Sequence, residues 1–245
     1  MNPRTDTVWQ SPALVQNYLD GVRGAIPLAK EQIEVMLRLL EADQRPVQNF
    51  LDIGCGDGVL AAAIFEKFPD AEGTLMDFSE SRLKAATVRM RDSNYKARVV
   101  QADYANSNWL CELGGQRFDA VVSGFSIHHQ PDERKRSLYS EIYSRLKPGG
   151  IFINVEHVSS PTKWIESVYE KQFIDSLYEW SERKGWRKTK QQLSDEFFHR
   201  PDKDANILAP VEKQCDWLRD IGFQDVDCYF KVFELAVFGG RRGPT

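Results

Sequence analysis

Cysteine is scarce in this chain: Cys55, Cys111, Cys215 and Cys228 stand far apart, with none of the C-x-x-C spacings that make a zinc site or a redox pair. Reduced thiols are therefore expected. Long apolar runs are also missing, and nothing approaches the eighteen or so consecutive apolar residues of a membrane span. Positions 1–10 hold charges and a proline but no apolar core segment, so they lack the parts of a secretory leader, and a cytoplasmic location is the expectation. Nor is there an excess of positive charge: 32 Lys and Arg against 36 Asp and Glu leave a formal net charge of −4, which gives no surface-wide field for polyanions. Direct nucleic-acid binding is accordingly not expected, since it needs Lys and Arg clustered along one face. Internal repeats and low-complexity tracts are absent as well.

What remains is an ordinary globular composition, 42% apolar and 28% charged, in a chain of 245 residues that is long enough for one substantial core. A single domain over 1–245 is the expectation. Residues 48–53 read as a short strand running into a glycine-rich turn, and 59–68 carries the alanine-rich apolar face of a helix. The alternation repeats: strands at 73–77, 97–102, 118–124 and 151–155, helices at 79–92 and 131–146, the last stopped by Lys147-Pro148-Gly149-Gly150. Such alternation predicts a doubly wound α/β fold, a mainly parallel sheet with helices on both faces. A helix over 29–40 precedes the first strand. Residues 161–209 break the pattern with aromatic and charged residues at helical spacing and read as a helical insertion or lid. After it, 211–220 reads as a helix closed by Gly222, and two β-rich runs, 225–234 and 235–238, can form an antiparallel C-terminal hairpin on the sheet edge.

Leu51-Asp52-Ile53-Gly54-Cys55-Gly56-Asp57-Gly58 is the strongest chemical signal, because glycines at a strand-to-helix turn let backbone N–H groups approach a nucleotide-like ligand. The dinucleotide fingerprint needs its third glycine three residues after the second; here Gly54, Gly56 and Gly58 alternate and Val59 holds that place, which argues against NAD. Asp77 closes the next strand about twenty residues on, where a carboxylate can accept from both ribose hydroxyls of an adenosine, and Phe78 beside it can lie against the adenine.

With the acidic Asp52 before its turn, this segment resembles motif I of the class I S-adenosylmethionine (SAM)-dependent methyltransferases. The resemblance is strong over 47–158. It implies a seven-stranded Rossmann-like sheet, SAM as cofactor, a small-molecule acceptor as partner, and a turn (Asp52, Gly54, Cys55, Gly56) close to the amino-acid part of SAM. It also implies that Asp103 accepts from the adenine amino group and that Gly124, Phe125 and Ile127 contact the cofactor. Tyr104 either flanks the purine or packs in the core. Tyr18, Arg23 and Ile26-Pro27, with the closing 211–238 pattern, are similar to the carboxy-SAM synthase branch, which modifies SAM itself for tRNA wobble-uridine modification. In that comparison Arg23 reaches the methionine carboxylate or is a surface arginine. An arginine that the branch uses near the end of the insertion is met here by His199, with Arg200 adjacent, a departure that counts against carboxy-SAM synthesis.

His128 is the candidate general base, since an imidazole titrates near working pH and the loop after the fourth strand faces the ligand crevice. His129 follows it, but sequence neighbours seldom converge on one ion and no third ligand is apparent, so no metal is expected. The aromatic residues Trp164, Tyr169, Phe173, Tyr178, Trp180 and Trp186 roof a substrate pocket or form core. The expected function is methyl transfer from SAM to a small molecule; a carboxy-SAM synthase and a non-catalytic SAM-binding interaction subunit are the alternatives. Oligomeric state is open, a homodimer included.

Overall fold

The computed structural model describes residues 4–20, 22–42 and 46–244, apart from the side chains of 17, 19, 20, 22 and 23. The first parallel strand, β1 (Asn49–Ile53), pairs on one side with β2 (Glu72–Asp77) and on the other with β4 (Phe118–Gly124). β3 (Ala97–Gln101) lies parallel outside β2, and β5 (Leu146–His157) lies parallel outside β4. The hairpin of β6 (Gln224–Val232) and β7 (Leu235–Arg241) closes the sheet, with β7 antiparallel to β5, and the order is β3-β2-β1-β4-β5-β7-β6. The order of the strands turns back at β1 and β4, with β2 and β3 added on one side and β5 on the other, so the carboxyl ends of β1 and β4 open on a crevice, which is where open α/β sheets bind ligands.

Alternation along each strand sends neighbouring side chains to opposite faces. Leu51, Ile53, Val121 and Phe152 join Leu138, Tyr139, Ile142 and Leu218 on one face, packed under α6 (Asp132–Arg145) and α9 (Val211–Ile221). Phe50, Leu75, Val122 and Ile153 face the other way, onto Leu60, Ile64 and Phe65 of α3 (Val59–Lys67), Met36 and Leu40 of α2 (Ala29–Glu41), and Ala86 of α4 (Glu80–Asp92). Between β5 and α9 the chain forms two helices, at Lys163–Arg183 and Lys190–Phe198, the second opened by a capping box of Thr189 and Gln192. An apolar cluster of Tyr169, Phe173 and Leu235, with Phe125, Phe197 and Phe233 against it, ties these helices over the crevice end of the sheet.

Two differences from the sequence pattern have clear causes. Residues 147–150 do not merely stop a helix: α6 ends at Arg145 and β5 begins at Leu146, because Leu146 pairs with Phe118 before a register shift restores Ala120 opposite Ile151. The sequence pattern carries no clear sign of the helix at Pro12–Asp20, which follows a short 3-10 turn, Asp6–Gln10, whose buried Trp9 lines the crevice. Among the described residues no helix is long and apolar enough to cross a membrane.

Candidate active site

The turn after β1 is held by the neighbouring strand. Gly54, Gly56 and Gly58 all have positive φ (65°, 57° and 79°), a backbone that glycine adopts without the penalty a Cβ would bring. Cys55 N–H donates to Met76 O at 2.9 Å, and Gly56 N–H donates to Asp77 Oδ2 at 3.0 Å. Ser79 N–H donates to the other oxygen, Oδ1, at 2.9 Å. Asp77 is thus the joint between the turn and β2. Burial raises its pKa, against the opposing pull of the Arg82 charge and of backbone N–H donors. Asp52 is buried on β1, and burial pushes the Cys55 thiol well up, so that cysteine is inert toward deprotonation.

Asp103 follows β3 and accepts at both oxygens from the Arg4 guanidinium, which also bonds Asp6 and lies 5.3 Å from the Phe78 ring. Tyr104 is buried and donates to Ser126 O at 2.9 Å, with Ser126 Oγ a further partner at 2.5 Å. A Cβ on Gly54 would meet that same Ser126 Oγ at 1.8 Å, so turn, Tyr104 and the loop after β4 form one packed unit. Gly124 ends β4 where a Cβ would lie 2.8 Å from Leu60, and Ile127 is wholly buried in the core. Phe125 has φ +48°, unusual for a non-glycine residue, and donates its N–H to Val155 O at 2.8 Å.

A cavity of about 1020 Å³ opens beside this unit. Tyr18, Phe125 and His128 line it, together with His129, His157, Arg82, Trp9, and Tyr169 and Phe173 of the inserted helices. Trp186 is at its rim, whereas Trp164 is 71% exposed and outside it. His199 and Arg200 both reach its wall. Arg23 lies in the 3-10 turn Val22–Ala25, but its side chain is outside the described residues.

The floor of the cavity carries the most organised chemistry. His128 Nδ1 is 2.6 Å from Glu156 Oε1, and both residues are buried. Glu156 also accepts from His128 N–H (3.0 Å), His157 N–H (2.9 Å) and Asn154 Nδ2 (3.3 Å). Burial raises the Glu156 pKa, while its N–H donors and the charges of His129, His157 and Lys135 oppose that shift and favour the carboxylate. Facing a carboxylate, Nδ1 carries the ring proton and Nε2 keeps its lone pair. Burial, with the nearby charges of His157 and Lys135, drives the His128 pKa well below its usual value, so the ring is neutral at neutral pH. The end of the insertion is fastened here too: Ile207 N–H donates to His128 O at 3.0 Å, and His129 Nδ1 bonds Ala205 O at 3.0 Å. Lys135, fully buried, donates to Ile207 O and, at 3.1 Å, to Asp132 Oδ1.

Glu156, Glu234, Lys135 and Arg82 escaped the sequence analysis. A signal for the first existed: Glu156 is a charged residue directly after the largely apolar strand segment Ile151 to Val155, beside a histidine. Arg82, on the first turn of α4, is buried 4.3 Å from Trp9, with no comparable signal. Among the described residues no cluster of three or more His, Cys, Asp or Glu is arranged to hold a metal ion.

Comparison with known proteins follows the same lines. Residues 50–150 match the methyltransferase domain family. A carboxy-S-adenosyl-L-methionine synthase of Nautilia profundicola is 20% identical over 221 residues, 89% of this chain and 88% of that one. A demethylmenaquinone methyltransferase of Leptospira interrogans is 30% identical over 124 residues, 49% of each chain. Among solved structures, an O-methyltransferase family protein from Burkholderia thailandensis superposes with a TM-score of 0.63 at 14% identity, covering 98% of this chain; the chain spans 59% of that protein's length. The domain matched over residues 50–150, the doubly wound sheet with its antiparallel C-terminal hairpin and the glycine turn joined to Asp77 support a SAM-dependent methyltransferase of class I fold.

Proposed function

We propose that the chain methylates a hydroxyl of a small-molecule acceptor, with His128 as general base and Glu156 as the group that orients and charges it. The observation that carries this is the 2.6 Å contact of Nδ1 with a buried carboxylate on the cavity floor. When bound, SAM supplies an electrophilic methyl carbon on a sulfonium. The residues fit that cofactor: a turn of positive φ with a backbone donor locked on Asp77, which ends β2, and a second acidic residue, Asp103, just past β3. Asp77 would hold the ribose hydroxyls, Gly54 to Gly56 the amino-acid end, and Phe78 with Asp103 the adenine, which must share those two residues with Arg4.

The rest is done by the chain. His128 Nε2 takes the proton from the acceptor hydroxyl, whose oxygen keeps the bonding pair and becomes the nucleophile. Glu156 stabilises the imidazolium as it forms. This matters because burial otherwise disfavours that cation. The aromatic walls exclude water, which strengthens both interactions. His128→Ala is expected to lower turnover of phenols by about 10²–10⁴-fold while leaving S-adenosylhomocysteine affinity nearly intact. Unchanged turnover would remove the base assignment.

Carboxy-SAM synthesis is a second reading, favoured by likeness along 89% of the chain to a protein of that name and by Arg200 on the cavity wall. Arg200 is already engaged there, donating to Phe197 O at 2.7 Å and pairing with Asp202 at 3.4 Å. Mass spectrometry of the ligand that co-purifies separates the two readings: a carboxylated cofactor would establish the second.

A further inference from the structure

His128 is not the only histidine in the cavity backed by a buried carboxylate. His157 Nε2 lies 2.7 Å from Glu234 Oε2, and Glu234 is 4% exposed. His157 ends β5 opposite Leu235 of β7, so the neighbouring Glu234, in the β6 to β7 turn, comes beside the imidazole. The turn is made by Phe233 with φ +52°, and Phe125 ahead of His128 has φ +48°. A non-glycine residue in that region is strained, and such strain gathers at functional sites. The two imidazole rings meet edge to face, their centroids 5.6 Å apart at an interplanar angle of 73°. Tyr169 is 5.5 Å from His157, and Phe173 is next to Tyr169 at 5.9 Å.

Each dyad sets one ring nitrogen on its carboxylate, Nδ1 in His128 and Nε2 in His157; with the proton on that nitrogen the other is an acceptor, and His128 also hydrogen-bonds the Asn206 side chain, which a bound hydroxyl would displace. Two acceptors side by side, walled by aromatic rings, match two hydroxyls on adjacent carbons of a flat ring. A lone hydroxyl would engage only one of them. We propose that His157, set by Glu234, is a specificity-determining residue that binds a second hydroxyl next to the one being methylated, so that the acceptor class is a vicinal dihydroxy aromatic compound. This rests on the reading of the site as a hydroxyl methyltransferase with His128 as its base.

The experiment is equilibrium binding by calorimetry, on the full chain saturated with S-adenosylhomocysteine, with catechol, phenol and 2-methoxyphenol as probes. Catechol is expected to bind at least about tenfold tighter than phenol, about 1.4 kcal/mol, with 2-methoxyphenol close to phenol. His157→Leu and, separately, Glu234→Gln should compress that ratio to near one. Retained affinity for S-adenosylhomocysteine is the folding control; the Glu234 variant carries the test if the His157 variant fails it. Equal affinity for catechol and phenol, no binding of any of the three, or a preference that survives both variants overturns the proposal. The base assignment fails by a different readout: unchanged methyl transfer in His128→Ala, with the catechol preference in binding still present.

Discussion

Replacing Glu156 by Gln tests the central device with the smallest change of shape. The carboxylate meets four N–H groups: two reach Oε1 (His128 Nδ1 at 2.6 Å, His157 N at 2.9 Å) and two reach Oε2 (His128 N at 3.0 Å, Asn154 Nδ2 at 3.3 Å). A Gln amide can accept at only one of the two positions. Its NH₂ therefore opposes two donors in a site closed to water, and an unsatisfied buried group costs about 1–3 kcal/mol. At about 2–4 °C per kcal/mol for a chain of this size, Tm should fall by about 2–12 °C. Turnover should fall further than folding accounts for, by about 10²-fold or more, because the imidazolium loses its counter-charge. The discriminating measurement is a double-mutant cycle with His128→Ala under single-turnover conditions, at a temperature where every variant is folded. If Glu156 acts through His128, adding Glu156→Gln to His128→Ala costs little more in rate than His128→Ala alone. Glu156→Asp should recover part of the rate, whereas a purely structural role would tie the rate to Tm. Full activity in Glu156→Gln, or losses that simply multiply, would refute the dyad.

Asp77→Asn keeps the size of the side chain but sets an NH₂ against Gly56 N–H or Ser79 N–H; S-adenosylhomocysteine affinity by calorimetry should weaken by about ten- to a hundredfold, and an unchanged Kd would remove Asp77 from the cofactor site. Lys135→Met should fill the volume but abandon Ile207 O and Asp132, with a cost of about 1–3 kcal/mol in denaturant unfolding; no loss would mean the buried ammonium does not hold the end of the insertion. Burial, followed by the His128 charge, drives the His129 pKa well below its usual 6.5, so the unfolded chain takes up that proton first. Stability that is complete above about pH 6.5 is therefore lost as the pH falls toward the depressed value, and His129→Gln should flatten the drop in Tm between about pH 7 and about pH 5.

The sheet could be read ahead of the structure because its inner strands are buried on both faces and so appear as short apolar runs, and because the turn after β1 needs glycines. The same feature marked the candidate cofactor half of the site. Gly54, Gly56 and Asp77 sit at fixed places relative to strand ends, and the structure joins them through the bond from Gly56 N–H to Asp77. Less accessible were groups that meet only through the third dimension. Arg4 reaches Asp103 across 99 positions, and Gln130 reaches Asp6 across 124, so no local pattern announces either contact. Tyr104 shows the opposite limit: a purine-facing side chain and a core side chain look alike in sequence, and only its hydroxyl contact with Ser126 fixes it inside the packed unit.

The C-terminal hairpin explains why the proposed acceptor half of the site is hidden from sequence while the proposed cofactor half is not. Parallel strands deliver their carboxyl ends to one edge of the sheet, so β1, β2 and β4 place the turn, Asp77 and the loop of His128 there by topology alone. An antiparallel strand brings its amino end to that edge instead. β7 starts at Leu235 beside His157, and the carboxylate just ahead of it, Glu234, therefore arrives at the cavity from the far side of the chain, 77 positions away. Reversing one strand thus supplies a second charged group where a further parallel strand would need a whole crossover to do so. Shortening the β6 to β7 turn would shift the register of β7 by a residue and turn Leu235 and its partners to the opposite face. Such a deletion should spare the glycine turn and Asp77, which hang on β1 and β2, and so separate cofactor binding from acceptor binding in one variant. Loss of both together would show that the two halves do not rest on different strands.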